Sequence, residues 1–264
     1  MAARVQKVLS QWGIASRRKA EQMIIDGRVQ INGQTAILGD KVDLTVDTLQ
    51  VDGKAITNTH RPQLIYLLLN KPVGVVSTCK DPQHRTTVID LLSVDLRQGM
   101  GIHPVGRLDF ASSGALILTN DGQLTLGLTH PRYHLPKTYL VKLDRSPTQK
   151  DLVCWRKGIM LDGKKTQPAT INLSTADRAK KTLQIVMKEG RNRQIRRVAQ
   201  YFGYTVHQLH RLAIGSIKLN TKGGTQVAPG KYRHLQRTEI SLLKKSFKDQ
   251  AFIKAASFGS AVYD

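Results

Sequence analysis

A single carboxylate inside a basic stretch is the first candidate for chemistry in this sequence. Asp109 closes the segment HPVGRLD at 103–109, and no glutamate occurs between residues 61 and 150. The chain carries a formal net charge of +22, so a polyphosphate is the expected partner. A carboxylate on a surface that binds phosphate weakens that binding, so its presence there is explained if it takes part in a reaction. Asp109 is therefore a candidate catalyst. The commoner use of a loop aspartate is to cap a turn or a helix.

The basic residues are concentrated in a part of the chain that is patterned for structure. Between Gly190 and Lys245 there are twelve lysines and arginines but one acid, Glu239. Net charge alone is also compatible with anionic lipid or with simple solubility. Because this stretch has strand and helix patterns and is not a low-complexity tail, a folded basic face for nucleic acid is the better interpretation.

Two predicted helices begin with cations, where the helix dipole disfavours them. The first carries Arg17, Arg18 and Lys19 in its opening turn, and the second opens with Arg193, Arg196 and Arg197. Helix amides and cations converge in this way where a phosphate binds, whereas a solvated run of charge is the alternative for either helix alone. Two such sites in one chain are hard to explain by solvation alone.

Composition narrows the class of protein. With 264 residues, 40% of them hydrophobic, the chain can bury a core and form one or two domains. Cys79 and Cys154 lie far apart without a zinc-like spacing, so we expect neither a metal site nor a disulfide framework, and a cytoplasmic location. No stretch approaches the roughly 20 apolar residues of a membrane span, so we expect no membrane partner.

The first sixty residues have a pattern of their own. Val5, Val8, Leu9 and Trp12 fall on one helix face, and Ser16 is placed to cap a second helix that ends before Gly27. Short strands at 29–31 and 49–51 follow. Residues 54–63 have no apolar period and are interpreted as a linker.

From Leu64 onward the pattern changes to strands with few helices. The sequence predicts strands at 64–69, 75–77, 115–119, 138–143, 169–173 and 182–187, and helices at 124–129, 148–157 and 193–202. Since no regular βαβ alternation appears, we predict an α+β fold with a mixed, mostly antiparallel sheet. The predicted organisation is a small domain at 1–58, a large domain at 62–244 and a tail at 245–264.

Four motifs in order then resemble the RsuA and RluB family of bacterial ribosomal RNA pseudouridine synthases. They are GRLD at 106–109, SGALILTNDG at 113–122, HPRY at 130–133 with KTY at 137–139, and EGRNRQIRR at 189–197. The first sixty residues look like the S4-like (αL) RNA-binding domain that this family carries at its N-terminus. ASRRKAE at 15–21 and GRNR at 190–193 look closer to the RluB branch.

The resemblance implies roles for individual residues and implies that no cofactor is needed. The family's catalytic aspartate falls on Asp109, its active-site tyrosine on Tyr139, its basic partner of the aspartate on Arg191, and its apolar pocket wall on Ile195. Tyr139 and Ile195 would equally suit core packing. Arg107 and His103 are candidates to fill the space left by the flipped base or to grip a phosphate, with plain phosphate contact and turn structure as their simpler uses.

We therefore expect a monomeric enzyme that isomerises a uridine, in large-subunit ribosomal RNA on the RluB-like details. Its expected partner is ribosomal RNA or an assembling ribosomal particle. Small-subunit or transfer RNA is an alternative substrate, and a non-catalytic ribosome-assembly factor is the alternative from another class. A third alternative is an RNA glycosylase or hydrolase, but that chemistry needs a second acid, and acids are scarce around Asp109.

Overall fold

The computed structural model describes residues 2–57, 61–130, 133, 135–219 and 227–246. The N-terminal unit consists of two helices beside short strands. In chain order its elements are β1 (Ala3–Arg4), α1 (Val5–Gln11), α2 (Arg17–Ile25), β2 (Val29–Ile31), β3 (Gln34–Thr35), β4 (Lys41–Val42), β5 (Leu49–Val51) and β6 (Lys54–Ile56).

The two N-terminal helices confirm the sequence pattern. The hydroxyl of Ser16 accepts a hydrogen bond from the backbone N–H of Lys19, which caps α2. Val5, Leu9 and Ala20 are buried in a core that belongs to this unit alone. The linker prediction is wrong at its start, because β6 pairs with β5 as a sheet edge, and most of the remaining segment has no regular element.

The larger unit begins with the strand that follows Ile65. Its strands are β7 (Tyr66–Lys71), β8 (His103–Pro104), β9 (Ser113–Thr119), β10 (Lys137–Leu143), β11 (Met160–Leu161), β12 (Lys164–Lys165), β13 (Thr170–Leu173), β14 (Thr182–Met187), β15 (Val206–Ile214), β16 (Ile217–Lys218) and β17 (Tyr232–His234). Its helices are α3 (Val94–Arg97), α4 (Gly122–Thr129), α5 (Gln149–Lys157) and α6 (Gln194–Tyr201). Residues 237–246 are also helical, so a helix crosses the predicted tail boundary, and the rest of the tail lies outside the described residues.

The predicted mixed, mostly antiparallel sheet is confirmed. The strands run in the order β13-β14-β10-β15-β9-β7-β17, with β8 and β16 paired at β9 and β15. In this sheet β9 and β15 pair in parallel, and the other strand pairs are antiparallel. Gly114 permits the parallel contact, because a Cβ there would lie 2.2 Å from the carbonyl oxygen of Arg211.

A hydrophobic core lies on each face of this sheet. Leu67 and Leu69 of β7 point into one core, which α5 and α6 cover, whereas Tyr66 and Leu68 point into the other, which α4 covers. Side chains alternate between faces along a strand, so a strand buried on both faces is apolar throughout. This explains the apolar run at 66–69, whereas Leu64 lies before the strand and is exposed.

One transverse row of this sheet positions the chemistry. The register aligns Lys71 with Gly114, Gly114 with Arg211, and Arg211 with Tyr139. Residues in register across neighbouring strands share a face. The face is the one under α5 and α6, because Tyr139 belongs to that core.

One predicted strand of the large unit is wrong. At 75–77 Val76 makes only an isolated bridge to Thr87, because the chain turns at Gly74. No helix in the described ranges is long and apolar enough to cross a membrane.

Candidate active site

A cavity of about 780 Å³ is lined by Tyr139 and by residues of both hydrophobic cores. Its wall comes from the loop before β9, from β10 and β15, and from the segment that leads into α6. Six of the residues singled out in the sequence line it: Arg107, Asp109, Tyr139, Arg191, Arg193 and Ile195. The structure therefore brings together segments that lie far apart in the chain.

Asp109 stands at the start of a tight turn that is held from several sides. The backbone N–H of Ser112 donates to the carbonyl of Asp109 at 3.0 Å, and that of Gly74 donates to Phe110 at 2.9 Å. Buried Ser77 donates its hydroxyl to the carbonyl of Leu108 at 2.9 Å and accepts from the N–H of the same residue at 3.2 Å. The carboxylate is thus half-buried on a fixed backbone, as a catalytic group requires.

Tyr139 and Ile195 form an apolar part of the wall. Tyr139 is 8% exposed in the middle of β10, and Ile195 is 6% exposed in the first turn of α6. Both belong to the core under α6 and both line the cavity, so the same two side chains pack in the core and form part of the cavity wall. A planar ring beside an aliphatic side chain forms a slot of the kind that holds a flat base.

The expected ion pair between Arg191 and Asp109 is not formed. Arg191 contacts Glu189 instead, with 3.3 Å between Nε and Oε2, and donates to the carbonyls of Lys164 and Lys165 at 2.9 and 2.6 Å. Glu189 lies only two positions before Arg191 in the chain. Backbone carbonyls of the β11–β12 hairpin accept further hydrogen bonds from the same guanidinium. Arg191 therefore braces the wall of the cavity.

Arg196 is bonded to the turn that carries Asp109. Its guanidinium donates to the carbonyl of Ala111 at 2.8 Å, within the turn that Asp109 begins, and to that of Val206 at 3.0 Å. Burial, with the charge of Arg193, lowers the pKa of Arg196, and the carboxylate of Asp109 opposes that shift. That Arg196 contacts RNA stays a prediction: Nη1 and Nη2 are bound within the protein, and among the described residues its buried Nε has no hydrogen-bond partner.

Two more candidates are engaged within the protein. Both ring nitrogens of His103 are bonded, Nδ1 to the carbonyl of Gly101 at 3.0 Å and Nε2 to the hydroxyl of Thr125 at 2.9 Å, which supports the turn alternative. Arg197 makes an ion pair with Asp162. In contrast, Arg107 and Arg193 are exposed at the cavity, and Arg17, Arg18 and Lys19 are exposed on α2.

Three cations that the sequence reasoning missed lie beneath the cavity. Lys71 is fully buried and donates to the carbonyls of Pro72 and Ser112 at 2.8 Å each. Burial lowers its pKa to about 8 against the opposing charge of Asp109. Lys137 and Arg211 line the cavity itself. The signal in the sequence was a lysine two positions after an apolar run that is typical of a buried strand.

This arrangement suits a reaction that needs one carboxylate and a positive field. Asp109 is fixed beside a flat apolar slot and is surrounded by cations, so it can act on the sugar of a nucleotide whose base enters the slot. No group of His, Cys, Asp and Glu in the described ranges has the arrangement of a metal site.

Comparison with known proteins gives matches to both units. Residues 65–201 match the family described as RNA pseudouridylate synthase, and residues 3–45 match the S4 domain. An Aquifex aeolicus protein called an uncharacterized RNA pseudouridine synthase is 39% identical over 93% of this chain and 95% of its own length. The ribosomal large subunit pseudouridine synthase B of Bacillus subtilis is 38% identical over 88% of this chain and 95% of its own. A crystal structure of a pseudouridylate synthase aligns with a TM-score of 0.64 and 29% identity, over 91% of this chain and 99% of that one.

Proposed function

This chain belongs to the RNA pseudouridylate synthase family, and on that premise we propose that it converts one uridine of large-subunit ribosomal RNA into pseudouridine. The observation that carries the proposal is the placement of Asp109 beside the slot of Tyr139 and Ile195 in a cationic cavity. Large-subunit RNA is proposed from the Bacillus subtilis relative, which is named for that substrate.

The reaction breaks the bond from ribose C1′ to uracil N1 and joins C1′ to C5 of the same base. Asp109 acts at the sugar, either by bonding to C1′ or by accepting the proton of C2′. Tyr139 and Ile195 hold the detached base so that it turns without leaving. Arg196 takes the place proposed from the sequence for Arg191, because its charge and its bond to Ala111 both act on the turn that bears the carboxylate.

RNA is held over a wider surface than the cavity. The S4 unit presents Arg17, Arg18 and Lys19 at a helix start, and Arg107 and Arg193 are exposed at the cavity, so phosphates can be bound at both places. We further propose that the protein acts as a monomer, on ribosomal RNA or an assembling particle in the cytoplasm.

Mapping pseudouridines in ribosomal RNA from cells with and without the gene tests this function. We expect one large-subunit position to lose its pseudouridine and to regain it when the wild-type gene is returned. Asp109→Asn, which keeps the size of the side chain, should not restore the modification, although its affinity for RNA should be equal or slightly higher. Loss confined to small-subunit RNA would correct the substrate, and an unchanged map with turnover by Asp109→Asn would refute the function.

A further inference from the structure

The cavity carries more positive charge than its own carboxylates balance. Two acids, Asp109 and Glu189, line it. The lining cations are Arg107, Lys137, Lys164, Lys188, Arg191, Arg193 and Arg211. Glu189 is already engaged by Arg191, so the excess remains even before the buried Lys71 is included.

Two of these cations adjoin the proposed base slot. Arg211 is the cross-strand neighbour of Tyr139 on β15. Lys137 precedes Tyr139 by two positions on β10 and pairs with Met187 of β14, which belongs to the same core as Tyr139. Arg211 is 3% exposed, and Lys137 is half-buried. The charge nearest to the base is therefore cationic and is shielded from water.

The donors of this pair are incompletely used within the described residues. Arg211 donates from Nε to the carbonyl of Ala115 at 2.6 Å, but its buried Nη2 has no hydrogen-bond partner, and neither does the buried hydroxyl of nearby Ser112. Lys137 donates to the carbonyl of Leu135 at 3.1 Å. Such unsatisfied groups cost free energy and concentrate at functional sites.

The two cations also disfavour each other. Burial and then the charge of Arg211 lower the pKa of Lys137 to about 8. Like charges kept close in a buried place require an anion for compensation, and the carboxylates in the cavity are Asp109 and the engaged Glu189. A ligand that brings or develops negative charge beside Tyr139 would supply it.

We propose that Lys137, backed by Arg211, forms a subsite for the negative charge that develops on the uracil ring during the reaction. This inference rests on the proposed function. When the C1′–N1 bond breaks, both of its electrons stay with uracil, whose ring becomes an anion with charge on N1, O2 and O4. The electrons return to C1′ when C5 bonds to it, and any bond from Asp109 to C1′ breaks at that point with its electron pair returning to the carboxylate. C5 then releases its proton to solvent and N1 takes one up from solvent, so that the overall reaction is an isomerisation. Lys137 stabilises the anion by charge and transfers no proton.

The phosphates of the RNA are the other source of negative charge. The exposed Arg107 and Arg193 lie along the cavity and can serve phosphates on the RNA surface, whereas Lys137 and Arg211 flank the ring that the base contacts. Position thus favours the base over the backbone as the occupant of the subsite.

The test compares Lys137→Met with wild type on two forms of an RNA fragment that contains the mapped uridine. One fragment has uridine at that position, and the other has 5-fluorouridine, whose base is the better leaving anion. Breakage of the C1′–N1 bond is measured under single-turnover conditions by nucleoside chromatography. We expect Lys137→Met to slow breakage about 100-fold with uridine but only about tenfold with 5-fluorouridine, because the better leaving group depends less on the cation.

The controls separate charge from folding and from RNA binding. Lys142→Met, on the exposed side of the same strand, should leave both rates within about twofold. Lys137→Arg should recover most of the rate, and Lys137→Gln should repeat the loss, with thermal unfolding recorded for each variant. The Kd for RNA should be unchanged within about twofold in Lys137→Met.

Four results would overturn the inference. Equal losses with both bases, or a loss in Kd alone, would remove Lys137 from leaving-group stabilisation. If a neutral methylphosphonate beside the target uridine reproduced the loss and added nothing to Lys137→Met, the subsite would hold a phosphate. Inactivity of the wild-type chain on every ribosomal RNA fragment would refute the proposed function itself, and the inference with it.

Discussion

Replacing Arg196 with methionine tests whether Arg196 or Arg191 supports the carboxylate of Asp109, a question that the sequence alone does not settle. Arg196 donates to the carbonyls of Ala111 and Val206, and its charge interacts with that of Asp109, whereas Arg191 is engaged by Glu189 and a hairpin. A hydrogen bond from a charged donor contributes about 1.5–3 kcal/mol to stability. Because Arg196 is only half-buried, water can replace part of this, and we take the low end for each bond.

Arg196→Met should therefore lower the free energy of unfolding by about 3 kcal/mol. The bond to Ala111 and the charge beside Asp109 both act on the turn that carries the carboxylate, so about 2–3 kcal/mol should also be lost in the transition state. That corresponds to a fall in the single-turnover rate of roughly 30- to 150-fold. Arg191→Met, which leaves that turn intact, should lose less than about tenfold.

Both variants are assayed for pseudouridine formation with saturating enzyme, together with denaturant unfolding and the Kd for RNA. Arg196→Lys, which keeps the charge but not the bridge between two carbonyls, should lie between wild type and Arg196→Met. The reasoning is refuted if Arg191→Met is the slower enzyme, or if Arg196→Met changes only the Kd.

Three further outcomes are expected from the same structure. Gly114→Ala would place a Cβ 2.2 Å from the carbonyl oxygen of Arg211 at a φ of +110°, so thermal unfolding should show a loss of several kcal/mol; an unshifted Tm would contradict the close contact of β9 and β15. Removal of residues 1–58 should leave a folded domain that binds RNA more weakly and with a shallower salt dependence. RNA titrations at several salt concentrations measure this, and an unchanged slope of affinity against salt would show that the S4 unit does not bind phosphates. Lys71 has a folded pKa of about 8 against an ordinary 10.5, so the folded state loses its proton first and the cost of burying the charge, about 3 kcal/mol, disappears as pH rises from 8 to 10.5. The stability of wild type relative to Lys71→Met should accordingly rise over that range in denaturant unfolding, and a fall would reverse the assignment.

The parts of the fold that follow local rules could be predicted from the sequence. The cap at Ser16 and the strand at 182–187 depend on neighbours in the chain, and the structure has both. The predicted strand at 75–77 is wrong because apolar residues also occur in a loop that packs under a sheet. The pairing of β6 with β5 did have a local signal, the turn at Asp52 and Gly53, whose two positive φ angles are those of a two-residue hairpin.

The sequence motifs predicted part of the candidate site, because several of their residues line one cavity. Asp109, Tyr139 and Ile195 meet there, but a motif cannot tell which of several arginines reaches the carboxylate. Arg191 is captured by Glu189, two positions away, whereas Arg196 lies one turn further along and reaches Ala111. Arg211 was invisible as a site residue because only the sheet register sets it beside Tyr139.

The transverse row from Lys71 through Gly114 and Arg211 to Tyr139 ties catalysis to the kinetics of folding. Its members come from four strands, and the parallel pair at its centre joins residues such as Ser113 and His210, which are 97 positions apart. Contacts so distant in the chain form slowly and only after long loops have closed. We therefore expect that chains with all their helices but an unjoined sheet lack the site and are inactive. During refolding, activity should return together with the parallel strand pair, which makes turnover a reporter of the last long-range step.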